Sequence, residues 1–187
     1  MVTRDKDFAR FVDMLRQATQ AIEGDYFKLP IAGDVPIYRE RVYCYELYHR
    51  LRCRWPDARD FEYRLGGEVD KAGHKLMRDL GAHGIPDLLV HGPGYMDRNL
   101  VIVEVKPAKR VNENNLATDL HKLREFIVHA GYRLGVYLIY GGEKSDLDNV
   151  RRLARAWVAK DVARSLDDVA LVWHASSGSA AEHQDWQ

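Results

Sequence analysis

Two short apolar segments that carry ionisable side chains constrain the fold of this chain most. Residues 85–90 read Ile-Pro-Asp-Leu-Leu-Val, and residues 101–106 read Val-Ile-Val-Glu-Val-Lys. Such compact apolar runs are consistent with buried strands. Because side chains alternate along a strand, Glu104 and Lys106 project from one face and the three valines of their segment from the other. The two segments therefore predict strands with charged groups on an otherwise apolar surface.

Charged side chains on a buried strand require a physical explanation. A buried charge is costly unless it is paired, hydrogen-bonded or bound to a metal ion. An aspartate from one strand (Asp87) beside a glutamate and a lysine from the next (Glu104 and Lys106) would hold a hard divalent cation near a phosphate group. A buried ion pair that only stabilises the sheet is the structural alternative.

The remaining pattern predicts an α/β fold with a mixed central sheet and helices on both faces. Hydrophobic periodicity predicts helices at 4–23 and at about 38–54, 113–130 and 145–164. Strands are predicted at 60–70, in the two segments above, and at 133–140 and 168–174. Pro107 should end the third strand, because proline cannot donate to a sheet ladder. Residues 24–37, with Pro30, Gly33 and Pro36, are predicted to be a loop, and residues 175–187 a flexible tail.

Length and composition predict one domain. The chain has 187 residues, of which 46% are hydrophobic, which suits a single core over residues 1–174 with the helix at 4–23 packed on residues 38–174. The formal net charge is zero, so any nucleic-acid site has to be a local positive patch.

The cysteines and the apolar runs indicate in which cellular compartment the protein is expected. Cys44 and Cys53 are nine residues apart on one predicted helix and point in different directions, so we expect reduced thiols. The N-terminus lacks the apolar core of a signal peptide, and no apolar run is long enough to span a membrane. A cytoplasmic protein is the expectation.

Pro86-Asp87 followed by Glu104-Val105-Lys106 resembles the PD-(D/E)xK motif of the restriction-endonuclease-like nuclease superfamily. In that superfamily a core helix precedes three strands, the aspartate lies on the second strand and the E-x-K on the third, and a helix and a strand follow. The predicted elements fall in this order over about residues 38–140. A bare PD…ExK string is common, and its position on two adjacent apolar strands makes it more specific.

The resemblance implies a role for each motif residue. Asp87 and Glu104 would bind Mg²⁺ or Mn²⁺, with the backbone carbonyl of Val105 as a further ligand. Lys106 would hold the attacking water or stabilise the charge that develops on the phosphate, as a compact cation can. The implied activity is a metal-dependent phosphodiesterase, an endo- or exodeoxyribonuclease.

Five other residues are candidates for the same site. Glu46 lies on the predicted core helix, which often supplies another carboxylate in the resembled superfamily, but it points away from that helix's main apolar stripe. Glu68 ends the first strand after a glycine pair, where a surface acid is the alternative. Lys109, Arg110 and Lys122 are possible substrate contacts; for Lys122 an exposed helix face is the alternative.

The sequence thus favours a metal-dependent nuclease with DNA as its partner. A homodimer would be suggested if both strands of a duplex were cut. The alternative is a catalytically inactive relative that binds nucleic acid or protein, and a third hypothesis is a protein whose buried ion pairs merely resemble a site.

Overall fold

The computed structural model describes residues 2–67, 85–94 and 98–187. The helices in these ranges are α1 (Val2–Gln20), α2 (Gly24–Phe27), α3 (Glu40–Arg54), α4 (Glu113–Ala130) and α5 (Lys144–Ala159). The strands are β1 (Leu29–Ile31), β2 (Asp34–Ile37), β3 (Arg64–Gly67), β4 (Leu88–His91), β5 (Asn99–Pro107), β6 (Tyr132–Tyr140), β7 (Val169–His174) and β8 (Glu182–Gln184).

A six-stranded mixed sheet forms the centre, with strand order β3-β4-β5-β6-β7-β8. The pairs β5–β6 and β6–β7 are parallel, and the other neighbours are antiparallel. Helix α4 connects β5 to β6 and α5 connects β6 to β7, as parallel neighbours require. The predicted α/β class and mixed sheet are confirmed, and β5 ends at Pro107 as expected.

The sheet separates two apolar cores. Residues of α1 and α3 pack on one face, together with Val101, Val103 and Val105. Residues of α4 and α5 pack on the other face, where Ile102 is buried. The alternation along β5 therefore assigns Glu104 and Lys106 to the α4 side, as the sequence predicts.

The segment 24–37 is more regular than the predicted loop. It contains the short helix α2 and a two-stranded hairpin of β1 and β2. Gly33 adopts a positive φ of 75° in the turn, which glycine does at little cost. Pro30 and Pro36 are compatible with these strands because a two-stranded hairpin leaves outward backbone positions that need no hydrogen-bond donor.

The C-terminal segment also differs from its prediction as a flexible tail. Strand β8 pairs antiparallel with β7, Ala181 is buried, and the Trp186 indole donates to the carbonyl of Val169 at 2.7 Å. Burial of these side chains offsets the entropy of ordering a segment that has no clear periodicity.

The sequence also makes predictions about the cysteines of α3 and about the length of the apolar helices. Cys44 is buried and Cys53 is exposed, and neither is in a disulfide bond. In the described part of the chain, no helix is long and apolar enough to cross a membrane.

Candidate active site

The motif residues meet where β4 begins and β5 ends. Leu88 pairs with Val103 in the antiparallel register, so Asp87, one residue earlier, comes level with Glu104. The backbone N–H of Val105 donates to Asp87 Oδ2 at 2.7 Å. Burial raises the pKa of Asp87, and this hydrogen bond opposes the rise. The two carboxylates are thus held side by side on neighbouring strands.

Helix α4 covers this part of the sheet. It begins after Asn112, whose side chain accepts hydrogen bonds from two backbone N–H groups of the first turn, and ends at Gly131 in the left-handed region (φ 68°). Its apolar stripe packs on the sheet. Asp119 and Lys122, three residues apart on one helix face, are consequently directed at the motif.

Glu104 is the most deeply buried of the charged groups, with 1% of its surface exposed. Lys122 Nζ donates to Glu104 Oε2 at 2.9 Å and lies 3.3 Å from the carbonyl of Ile85. Glu104 Oε1 has no hydrogen-bond partner among the described residues. Burial, with the nearby Asp87, raises the pKa of Glu104 to about 8, although Lys122 opposes the rise. One oxygen of a buried carboxylate is therefore available to a ligand.

Lys106 lies at the end of β5, where it reaches helices on both sides of the sheet. Its Nζ donates to Glu40 Oε1 of α3 at 2.9 Å and lies 3.8 Å from Asp119 Oδ2 of α4. Burial disfavours its charge, but Asp119 and Glu40 outweigh that effect and raise the pKa of Lys106 above its ordinary value. Lys106 is consequently an ammonium group held in place by two carboxylates.

We call the six interacting side chains the charged cluster: Glu40, Asp87, Glu104, Lys106, Asp119 and Lys122. When all are ionised, four carboxylates face two ammonium groups, which leaves two negative charges. Burial raises the pKa of Asp119 to about 6 although both lysines oppose the rise. Within residues 2–67, 85–94 and 98–187, its Oδ2 has no hydrogen-bond partner. Among the residues that the structure describes, no three His, Cys, Asp or Glu side chains form a ready metal centre.

The remaining predicted site residues lie in different places. Glu46 is buried in a salt bridge with Arg50, which also binds Glu23, and it lies about 120° around α3 from Glu40. It is therefore on a different face of the helix from the charged cluster. Lys109 and Arg110 form an exposed 3-10 turn directly after β5. Glu68 lies outside the described residues.

Sequence reasoning missed two members of the cluster, Glu40 and Asp119, although the sequence contains a signal for both. Asp119 stands within the apolar stripe of α4, three residues after Leu116 and four before Leu123. Glu40 extends the stripe of Cys44 and Leu47 by one helical turn. An acid at a core-facing helical position is the signal.

No protein-family model matches this chain, and no curated protein or solved structure is significantly similar to it. The function of this chain is therefore inferred from the residues of the charged cluster and from the order of the elements that carry them.

Proposed function

We propose that this protein is a metal-dependent nuclease that hydrolyses phosphodiester bonds in DNA. One observation carries the proposal: Asp87 and Glu104 lie level on adjacent strands with Lys106 beside them, in a cluster where four acids outnumber two lysines. A purely structural ion-pair network would be expected to balance its charges.

The order of elements supports a restriction-endonuclease-like core. Helix α3 is followed by β3, β4 and β5, and then by α4 and β6. Asp87 immediately precedes the second of these strands and the E-x-K lies on the third. This is the order that the resemblance to the PD-(D/E)xK superfamily implies.

The donor set fits a hard divalent cation. Glu104 Oε1 is buried and has no partner in the part of the chain that the structure describes. Its neighbour is the Asp87 carboxylate, and oxygen ligands are those that Mg²⁺ prefers. Asp87, Glu104 and the carbonyl of Val105 would hold Mg²⁺ or Mn²⁺. The cation would favour the ionised form of Glu104, whose pKa burial raises to about 8. When bound, such an ion lowers the pKa of a coordinated water and neutralises phosphate charge.

The protein's own residues supply the rest of the chemistry. Lys106, fixed by Glu40 and Asp119, would stabilise negative charge on the scissile phosphate, since an ammonium group already in place needs no reorganisation. The exposed Lys109 and Arg110 would bind flanking phosphates. Lys122 balances Glu104 and could also contact the substrate.

The experiment is nicking of supercoiled plasmid DNA in Mg²⁺, together with calorimetric Mn²⁺ titration. Lys106→Ala should reduce nicking by about 100-fold or more, as loss of a transition-state contact does, and the exposed-lysine control Lys144→Ala should not. Asp87→Asn should abolish Mn²⁺ binding in the millimolar range. Equal nicking by the Lys106→Ala protein, or unchanged Mn²⁺ affinity in Asp87→Asn, would contradict the proposal.

A second candidate is a catalytically inactive module that binds nucleic acid or protein. The internal pairs Lys122–Glu104 and Lys106–Glu40 favour it, because they satisfy part of the cluster without a cation. This candidate predicts that the native protein neither binds Mn²⁺ nor nicks DNA while it still binds a labelled oligonucleotide.

A further inference from the structure

Two cavities meet at Asp87 and differ in character. The larger, of about 330 Å³, is lined among the described residues by Cys44, Tyr45, Tyr48, Gly67, Asp87 and Leu88. The smaller, of about 260 Å³, shares Cys44 and Asp87 with it and adds Glu40, Arg41 and Ile85. Asp87 thus lies between an aromatic compartment and a polar one.

The aromatic compartment presents tyrosine rings from one side of α3. Tyr45 and Tyr48 are three residues apart and lie on the same face of the helix. Tyr45 is 58% exposed, so its ring is available to a ligand. A Cβ on Gly67 would lie 3.2 Å from the Tyr48 ring, which shows how closely strand β3 approaches that ring. The Tyr48 ring is therefore packed against β3, and the Tyr45 ring is exposed to solvent.

The size of the compartment limits what can enter. A volume of about 330 Å³ is near the lower end of the roughly 300–1,000 Å³ range of small-ligand pockets. A single nucleobase fits within this volume, and its face is free to stack on a side chain only when the base is outside the duplex stack. An aromatic ring stacks on any base, since every base has a π-face.

We propose that the aromatic compartment binds the base of an unpaired DNA nucleotide and so places its phosphate at the charged cluster. This inference rests on the proposed nuclease function and adds a substrate class to it: single-stranded DNA, or a duplex with an unpaired end or an extruded base. A paired base would first have to leave the stack, which costs energy that an unpaired base does not spend.

The test measures binding of the full chain to fluorescein-labelled oligo(dT) and to a duplex of equal length, by anisotropy with Ca²⁺ in place of Mg²⁺. Tyr45→Ala should weaken single-strand binding by about tenfold, and Tyr45→Phe, which keeps the ring, should restore it. The control Tyr26→Ala removes another exposed tyrosine (45% exposed) and should have no effect. A 2-aminopurine base in the strand should be quenched by the native protein and not by Tyr45→Ala.

The outcomes separate this inference from the function on which it rests. Unchanged single-strand affinity in Tyr45→Ala, or an equal loss for duplex, overturns the base pocket even if Lys106-dependent nicking is found. Ring-dependent single-strand binding without Mg²⁺-dependent nicking supports the pocket and contradicts the nuclease. If the native protein binds neither DNA, both are overturned.

Discussion

Two clusters of polar side chains in the described part of the chain differ in charge: one is built from ionisable acids and lysines, and the other from neutral aromatic groups. In the charged cluster, four carboxylates surround two ammonium groups. In the second, which we call the aromatic cluster, the members are Phe27, Tyr38, Tyr43, Tyr140 and His174. There the Tyr43 hydroxyl and His174 Nδ1 share a 2.8 Å hydrogen bond, and the rings of Tyr43 and Tyr140 stack at 3.9 Å.

The difference separates a cluster built for stability from one that a ligand would complete. Aromatic contacts and a neutral hydrogen bond both favour the folded state. Uncompensated buried carboxylates oppose it, because desolvation and mutual repulsion exceed the attraction of the available lysines. A site that lowers stability in this way is expected where binding or catalysis requires it. Substitutions in the two clusters should therefore change stability with opposite signs.

The largest expected effect concerns pH and the aromatic cluster. Burial lowers the pKa of His174 to about 4, and the nearby backbone of Ser176 and Ser179 opposes the shift. The unfolded histidine has a pKa near 6.5, so the unfolded chain binds more protons between these values, and stability falls as pH falls. The native protein should lose about 2 kcal/mol through His174 between pH 7 and pH 5.

Urea unfolding of the native protein and His174→Asn at both pH values measures this contribution. The variant should show a smaller loss on acidification, by about 2 kcal/mol. His183, an exposed histidine on β8, provides the control, and His183→Asn should follow the native protein. An identical pH dependence in His174→Asn would show that the histidine is not held neutral by burial.

Much of the fold could be predicted from the sequence because its periodicity is strong. Helix α4 has the predicted bounds, and β4 and β5 lie on the two apolar segments that define the motif. Strands buried on both faces read as continuous apolar runs. The hairpin of β1 and β2 and strand β8 are too short for a periodic pattern. The segment around β8 is held by hydrogen bonds to the distant residues Thr19 and Val169.

The charged cluster could be predicted only in part. Asp87, Glu104 and Lys106 stand out because they interrupt apolar strands, whereas Glu40 and Asp119 lie on helices where acids are common. Glu40 also begins α3, and an acid in a first helical turn has an ordinary explanation in the helix dipole. Which helix face meets Lys106 is decided by tertiary packing, which the local pattern does not contain.

A smaller effect of opposite sign is expected in the charged cluster. The raised pKa of Asp119, about 6, means that the folded protein binds more protons than the unfolded chain between about pH 4 and 6. The free energy of unfolding therefore falls as pH rises through that window. Above about pH 6, Asp119 is ionised in both states and its destabilising effect has reached its full size. The shift corresponds to about 3 kcal/mol at pH 8. Asp119→Asn recovers only part of it, because the amide N–H group that replaces the carboxylate is buried beside lysines. We expect the variant to be about 1 kcal/mol more stable than the native protein at pH 8.

Urea unfolding at pH 8 and pH 5 checks this, because the gain should be smaller at pH 5, where the native carboxyl is itself largely neutral. Millimolar Mn²⁺ should reduce the difference in stability between the variant and the native protein at pH 8, because it should stabilise the native protein more. A loss of stability at pH 8 would show that the contact of Asp119 with Lys106 outweighs its repulsion by the other acids.

The smallest effect is expected at Glu46, a buried acid outside the charged cluster. Its carboxylate binds Arg50, which keeps a second partner in Glu23. Glu46→Gln retains an acceptor oxygen for Arg50 and loses only part of an i,i+4 ion pair. The free energy of unfolding should therefore fall by about 0.5 kcal/mol. Mn²⁺ affinity and plasmid nicking should equal those of the native protein, because this side chain lies on a different face of α3 from Glu40. A tenfold loss of Mn²⁺ affinity or of nicking would place Glu46 in the site and would show that the charged cluster extends to this face of α3.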